Sequence, residues 1–189
     1  MPKTIVTGPT GTAITLAEAK AHLNLDFSED DPLVNAYVEA ATKAVEQYIG
    51  SPLRTETHKY HFAQWELVLI LNDARIQSIT NVKYFDTAGD EQTVTPGGNY
   101  ATDLVSIQRK VIFFPSASLP TVSEVLAFPI SVTVVTGFTT LPENVKLAVK
   151  TLVATYYTHR ESETLTDGTP VHLYSLFKFL LNPYRVKLI

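Results

Sequence analysis

The longest periodic stretch of apolar residues lies between residues 32 and 49, where the repeat follows helical spacings of three and four. Its members are Val34, Val38, Ala41, Val45 and Tyr48. Asp31 and Pro32 precede the stripe as a cap residue and a first-turn proline, and Gly50 follows it where a left-handed cap is expected. The pattern therefore predicts a helix over residues 32–49.

A shorter helix is predicted just before it. Thr15 is followed three residues later by Glu18, so the hydroxyl of Thr15 can accept from the Glu18 amide while the Glu18 carboxylate reaches back to the Thr15 amide. This is a capping box, and it predicts about two helical turns ending at Leu23.

Helical spacing returns near the end of the chain. Pro142 and Glu143 open a stretch predicted to be helical over residues 142–159. Its apolar positions are Val145, Ala148, Val149, Leu152, Val153 and Tyr156. A second apolar helix is predicted over residues 171–181, ended by Asn182 and Pro183. The last residues alternate basic and apolar side chains, which indicates an extended tail.

The middle of the chain has the composition of strands. Short runs rich in Val, Ile, Thr, Phe and Tyr are separated by glycine, proline and Asn-Asp signals. Strands are predicted at 55–62, 66–71, 79–85, 92–95, 100–105, 111–114 and 130–136. The turn at residues 86–90 contains Gly89 and predicts a hairpin.

These elements predict an α+β fold in a single domain of 189 residues. Helices at residues 14–50 and 141–182 form a small helical body, an antiparallel β insert occupies residues 53–136, and an extended C-terminal tail covers residues 183–189. The two helical segments are expected to pack together, because each amphipathic stripe needs a partner.

Composition narrows the function classes. Hydrophobic residues make up 45% of the chain, so a folded core is expected. The formal net charge of −4 argues against tight DNA binding, and the absence of cysteine excludes a disulfide or thiolate site. The beginning of the sequence does not resemble a signal peptide, and no apolar run approaches the roughly 20 residues needed to span a bilayer.

The sequence gives little support for a metal-binding or catalytic site. The acidic residues Asp26, Glu29, Asp30 and Asp31 lack the glycine and glutamate spacing of a calcium loop, so a solvated loop with a helix cap is favoured over an ion or partner contact. His58 and His61 fall on opposite faces of a predicted strand and are assigned a surface or interface role instead of a shared metal. No catalytic residue, cofactor site or metal site is predicted.

The ordered combination of motifs resembles the head-tail connector proteins of long-tailed bacteriophages, also called adaptor or head-completion proteins. The similar segments are ITLAEAKAHL at 14–23, VEQYIG at 45–50, LPENVK at 141–146, YYTHRE at 156–161 and LNPYR at 181–185. The sizeable β insert occurs in the larger members of this family, and its role stays open.

This resemblance implies a non-enzymatic virion protein of the head-tail neck, assembled in the host cytoplasm. Its copies are expected to form a ring, twelvefold in such proteins, beneath the portal protein. That ring extends the DNA channel, through which DNA passes without specific binding, and presents a docking surface to the stopper or tail-completion protein. No membrane partner is implied.

The C-terminal segment of such proteins tends to engage the portal. Here the corresponding residues are Tyr184, Arg185, Val186, Lys187, Leu188 and Ile189. Apolar side chains in an exposed tail are costly, so we expect them to be buried on a partner or to add a strand to it.

Two alternatives stay open. One is a stopper or tail-completion subunit in the same part of a virion. The other is a small enzyme or ligand-binding module with a site in the β insert, for which Trp65, Tyr84 and His61 are the candidate residues.

Overall fold

The structure, a computed structural model, describes residues 2–9, 11–73, 75–106, 108–159 and 171–186, without the side chains of 171–175. Its helices are α1 (Leu16–Leu23), α2 (Asp31–Ile49), α3 (Glu143–Thr158) and α4 (Val171–Leu181), and a short 3-10 helix follows at Asn182–Tyr184. The chain divides into two compact units. The helical unit lies within residues 11–54 and 140–187, and the β unit lies within residues 1–10 and 55–139.

Local signals set the ends of the first two helices. The amide of Glu18 donates to Thr15 Oγ1 at 3.2 Å, and the Thr15 amide donates to Glu18 Oε2 at 2.8 Å, which confirms the capping box. α2 begins one residue earlier than predicted, so the cap position falls to Asp30 and not to Asp31. Gly50 ends α2 with φ of 72°, the left-handed conformation that its lack of a side chain permits.

The two helical segments pack against each other as expected. The buried stripe of α2 faces α3, whose buried positions are Val145, Ala148, Val149 and Val153. Around this seam, the rings of Tyr37 and Tyr156 are 6.1 Å apart and the hydroxyl of Tyr157 donates to Asp30 Oδ2 at 2.6 Å. Side chains more than 100 positions apart in the chain therefore hold the helical unit together.

The strands of the β unit form two antiparallel sheets. They are β1 (Lys3–Thr7), β2 (Glu56–Phe62), β3 (Val68–Leu71), β4 (Ile76–Phe85), β5 (Glu91–Thr93), β6 (Tyr100–Asp103), β7 (Arg109–Phe113) and β8 (Ile130–Thr136). The large sheet has the order β1-β2-β8-β4-β5, and the small sheet has the order β3-β7-β6. One apolar cluster joins residues of both sheets, including Tyr60, Val132, Leu69 and Phe113. The core of this unit therefore lies between the two sheets.

One strand was not predicted. β1 lies at the edge of the large sheet and pairs antiparallel with β2, from Lys3 opposite Tyr60 to Thr7 opposite Thr57. All of its residues are exposed. The β unit thus includes the beginning of the chain as well as the segment between the helical halves.

The other strands were predicted with boundaries that differ by a few residues. β4 begins at Ile76, ahead of the predicted residue 79, and β8 matches the prediction. The predicted hairpin between β4 and β5 is confirmed, because Asp86 Oδ1 accepts from the amides of Ala88 and Asp90 at 2.9 and 3.0 Å, while Gly89 has φ of 91°.

Candidate assembly surfaces

The beginning of the predicted partner-binding tail rests on its own helical unit. The amide of Val186 donates to the carbonyl of Ile49 at 2.8 Å. The Cβ of Val186 lies 3.8 Å from the position that a Cβ on Gly50 would take. The guanidinium carbon of Arg185 lies 5.6 Å from the ring centroid of Tyr48. The tail is therefore attached at the C-terminal end of α2 as far as Val186.

The residues before this attachment are held by the same tyrosine. The Tyr48 hydroxyl donates to Asn182 Oδ1 at 2.7 Å, and its ring meets Phe177 edge-on at 5.0 Å. Tyr184 is half-buried and Arg185 is exposed. Lys187, Leu188 and Ile189 lie outside the described residues.

The outward face of the small sheet is unusually apolar. Its first cross-strand row contains Val68, Ile112 and Ala101, and its second contains Ile70, Lys110 and Asp103. We call these six residues the small-sheet face. Ile70 keeps 41% of its surface exposed, and the other apolar members are half-buried or exposed. Sequence reasoning missed this face, although the uninterrupted apolar run of β3 was the signal for it.

A groove of about 730 Å³ adjoins the small sheet at the edge formed by β3. It is lined by Pro2, His61, Phe62, Ala63, Glu66, Ile70, Asn72, Gln108 and Phe128. Ile70 belongs both to the groove and to the small-sheet face, so the two form one continuous surface within the β unit. Phe128 on the groove wall is 47% exposed.

His58 is buried, which corrects its predicted surface or interface role. It retains 2% exposure, with Nε2 at 2.9 Å from Glu56 Oε2 and Nδ1 at 3.6 Å from Asp73 Oδ2. The second distance is too long for a hydrogen bond but short enough for an ion pair. The carboxylate of Asp73, and then that of Glu56, raise the pKa of His58 against the opposing effect of burial.

The carboxylates of this buried cluster have structural partners. Burial would raise the pKa of Asp73, but His58, the amide of Arg75 and the hydroxyl of Thr136 together lower it. The hydroxyl of Tyr60 reaches Asp73 Oδ2 at 3.5 Å, and burial raises the pKa of Tyr60. No group of three or more His, Asp or Glu side chains that could hold a metal ion occurs among the described residues.

The three residues considered for a ligand site do not come together. Trp65 and Tyr84 meet edge-on with ring centroids 5.8 Å apart and pack against the core between the sheets. His61 instead lies on the other face of the large sheet, where its Nε2 is 3.1 Å from Thr4 Oγ1. Burial, and then Lys59, lower the pKa of His61.

The acidic residues around the start of α2 act as helix-terminus and packing groups. Asp31 pairs with Lys20 at 2.7 Å, and Asp30 accepts from Tyr157. Asp26 and Glu29 are exposed in the loop between α1 and α2. The carboxylates of Asp30 and Asp31 therefore have partners within the helical unit.

Residues 12–172 of the chain match the protein family described as "HCP: Head completion protein". The chain belongs to the head completion protein family. Membership confirms the resemblance to phage head-tail connectors and gives this head completion protein a structural role at the neck that joins head and tail. A search of curated protein sequences found no match.

Solved structures share the fold over the whole chain. A chain in the neck of an empty GTA particle, computed with C6 symmetry, gives a TM-score of 0.76 at 23% identity, covering 100% of this head completion protein and 97% of that chain. A chain in the virion of a native gene transfer agent (GTA) particle gives 0.74 at 23% identity with the same coverage. A chain in the neck of a native GTA particle, computed with C12 symmetry, gives 0.72 at 22% identity, again covering 100% and 97%.

No helix among the described residues of the head completion protein has both the length and the apolar character required to cross a bilayer.

Proposed function

We propose that this head completion protein is a non-enzymatic ring adaptor. Copies of the chain surround the DNA channel beneath the portal and present their far side to the stopper or tail-completion protein. The ring is twelvefold, and the C-terminal residues 184–189 attach it to the portal.

The observation that carries this proposal is the match of the entire chain to subunits of particle necks. Those necks were computed with C6 and with C12 symmetry, so copies of the matched subunits repeat around an axis. A fold that is shared from end to end, in a family of head completion proteins, supports the same repeated arrangement for this chain.

The attachment of the tail supports its role in portal binding. The backbone bond from Val186 to Ile49 fixes the place on the helical unit from which Lys187, Leu188 and Ile189 continue. Leu188 and Ile189 are the apolar residues of this terminal group, and burying them in a portal groove would remove apolar surface from water.

The charge of the chain suits a channel for DNA in transit. With a formal net charge of −4, a ring of copies is acidic and gives phosphates no strong general attraction. DNA can then move through the channel without being held by the wall.

Portal capture by shortened chains tests the proposal. Removing residues 187–189 leaves the contacts of Tyr48 and Ile49 intact, so the thermal midpoint should hold while capture by immobilised portal is lost. Removing residues 184–189 should also abolish capture, and it should lower the midpoint because the attachment on α2 is lost. A Val105→Ser variant, changed at a turn residue that is 94% exposed, is the matched control and should be captured normally.

The outcomes separate the two virion roles. Full capture of the chain that lacks residues 187–189 would contradict tail-mediated portal binding. If the intact chain bound a tail-tube protein and ignored the portal, the stopper or tail-completion role would replace the adaptor role.

A further inference from the structure

We infer that the small-sheet face, together with the groove beside Ile70, is the surface on which a neighbouring copy of this chain docks. This inference rests on the proposed ring and gives a role to the β unit, whose role the sequence left open.

The pattern of apolar residues in the small sheet supports a covered outward face. Antiparallel sheets usually place apolar residues toward the core and polar residues toward water. Here the inward residues Leu69, Val111 and Phe113 are buried, as the core requires. The outward row of Val68, Ile112 and Ala101 is apolar as well. A sheet that is apolar on both faces is stabilised when its outward face is also covered.

The charges of the small-sheet face favour a protein partner over DNA. Its two charged members pair with each other, since Lys110 Nζ lies 3.6 Å from Asp103 Oδ2 on the neighbouring strand. The face therefore presents no net charge. A neutral, apolar surface does not suit DNA, whose binding needs unpaired cations facing the phosphates. It suits a partner surface that is also neutral and apolar.

The groove beside Ile70 adds a concave shape to this surface, with a volume of about 730 Å³. Its lining combines apolar side chains, among them Phe62 and Phe128, with the polar side chains of His61, Glu66, Asn72 and Gln108. Such a groove can take an apolar side chain from a partner and offers polar groups around it, which is the usual arrangement at the centre of an interface.

We assign the small-sheet face and its groove to a second copy of the chain, because a closed ring needs a contact between each subunit and its neighbour. Neighbours in a ring meet through two different surfaces, one from each side of the subunit. The β unit also exposes two apolar side chains that belong neither to the small-sheet face nor to the groove lining, since Val125 is 94% exposed and Leu126 is 42% exposed. Both lie in the connection between β7 and β8, and they supply the second surface. Both surfaces of the proposed contact are thus present in one chain.

Charge insertion tests the contact in the full chain. Ile70→Lys and Ala101→Lys place a cation on the face at exposed positions, whereas Thr87→Lys places the same cation in the exposed β4–β5 turn. Association is measured by sedimentation over a range of concentrations, with portal added as a template. We expect the two face variants to associate at least about ten-fold more weakly, the effect of losing a buried aliphatic contact. The turn variant should match the unmodified chain, and all three should keep its thermal midpoint.

Cross-linking identifies the occupant. Because the natural chain has no cysteine, Ile70→Cys creates a single thiol for a photoreactive maleimide. Mass spectrometry should find this position joined to a second copy of the chain, and the same probe at Thr87→Cys should give no such product. A product with portal or tail protein instead, or none above the Thr87 control, would overturn the inference.

The ring and the docking surface are tested by different outcomes. If the natural chain forms rings and Ile70→Lys forms them equally well, the ring stands and the docking surface is wrong. If the natural chain remains a monomer even with portal, the ring is wrong and the docking surface is lost with it.

Discussion

The imidazole of His58 lies 2.9 Å from the carboxylate of Glu56, measured from Nε2 to Oε2, on the buried face of β2. Asp73 approaches the other ring nitrogen to 3.6 Å, so one histidine stands between two buried carboxylates. A cation in that position offsets the cost of burying two negative charges.

The stability of the β unit should therefore depend on pH. The pKa of His58 is raised above its ordinary value of 6.5. The stabilisation that His58 provides is therefore complete below that value and is lost as the pH rises through the folded-state pKa. Asp73 acts on the acidic side, because its pKa is lowered and the stabilisation that it provides is lost as the pH falls below the ordinary value of 3.8. We expect the free energy of unfolding to be highest between these limits and to decline on the alkaline side.

Fluorescence of Trp65 reports the unfolding of the β unit directly, because Trp65 is the single tryptophan of the chain and packs on Phe113 in the same unit. Denaturant titrations from about pH 5 to about pH 9 would cover the histidine range. His58→Gln should lose the alkaline decline and cost about 3–5 kcal/mol, the usual effect of leaving buried charges uncompensated. His61→Gln should keep the decline, and a flat profile in the natural chain would refute the assignment.

The burial of His58 could not have been predicted from the alternation of β2. One face of this strand carries Glu56, His58 and Tyr60, and the other carries Thr57, Lys59 and His61, so both faces contain polar residues. Only the pairing with β8 decides which set faces the core, and that pairing joins residues 68 to 80 positions apart. Short-range patterns cannot supply this information.

The helices were predicted to within one or two residues because their ends depend on local chemistry. The capping box at Thr15, the glycine at position 50 and the Asn182-Pro183 pair each act on their own neighbours. β1 was missed for the opposite reason. It is short, fully exposed and held by β2, whose paired residues are 50 to 57 positions away. Only the β-branched residues between Thr4 and Thr7 signalled it.

The capping box should contribute measurably to stability. Thr15→Ala removes the acceptor for the Glu18 amide and should lower the free energy of unfolding by about 1 kcal/mol. Glu18→Ala should cost less, and the double variant should show non-additivity, because each side chain serves the other residue's amide. Urea denaturation followed by helical ellipticity gives these values, and Thr12→Ala at an exposed position nearby is the control. Strict additivity would argue against a reciprocal box.

The contact between the two helical segments can be tested at Tyr157. Its hydroxyl donates to Asp30 at 2.6 Å, joining α3 to the cap position of α2. Tyr157→Phe should lower the free energy of unfolding by about 1.5–3 kcal/mol, as expected for a hydrogen bond to a charged group. Asp30→Asn should cost less because an amide oxygen can still accept. Thr158→Ala, next along α3 but exposed, should change stability little, and an equal loss there would point to a general effect of substitution at the C-terminal end of α3 instead of this bond.

Gly50 provides the sharpest test of backbone conformation. With φ of 72°, it adopts the left-handed cap that a side chain disfavours, while a Cβ there would meet Val186 at 3.8 Å, an ordinary contact distance. Gly50→Ala should therefore cost about 1 kcal/mol through the backbone alone, and Gly50→Asn should cost less because asparagine tolerates this conformation better. Gly98→Ala is the matched control, since Gly98 has no positive φ and no heavy atom within 4 Å of an added Cβ. If Gly50→Ala cost no more than Gly98→Ala, the cap would not be needed to turn the chain from α2 into the β unit.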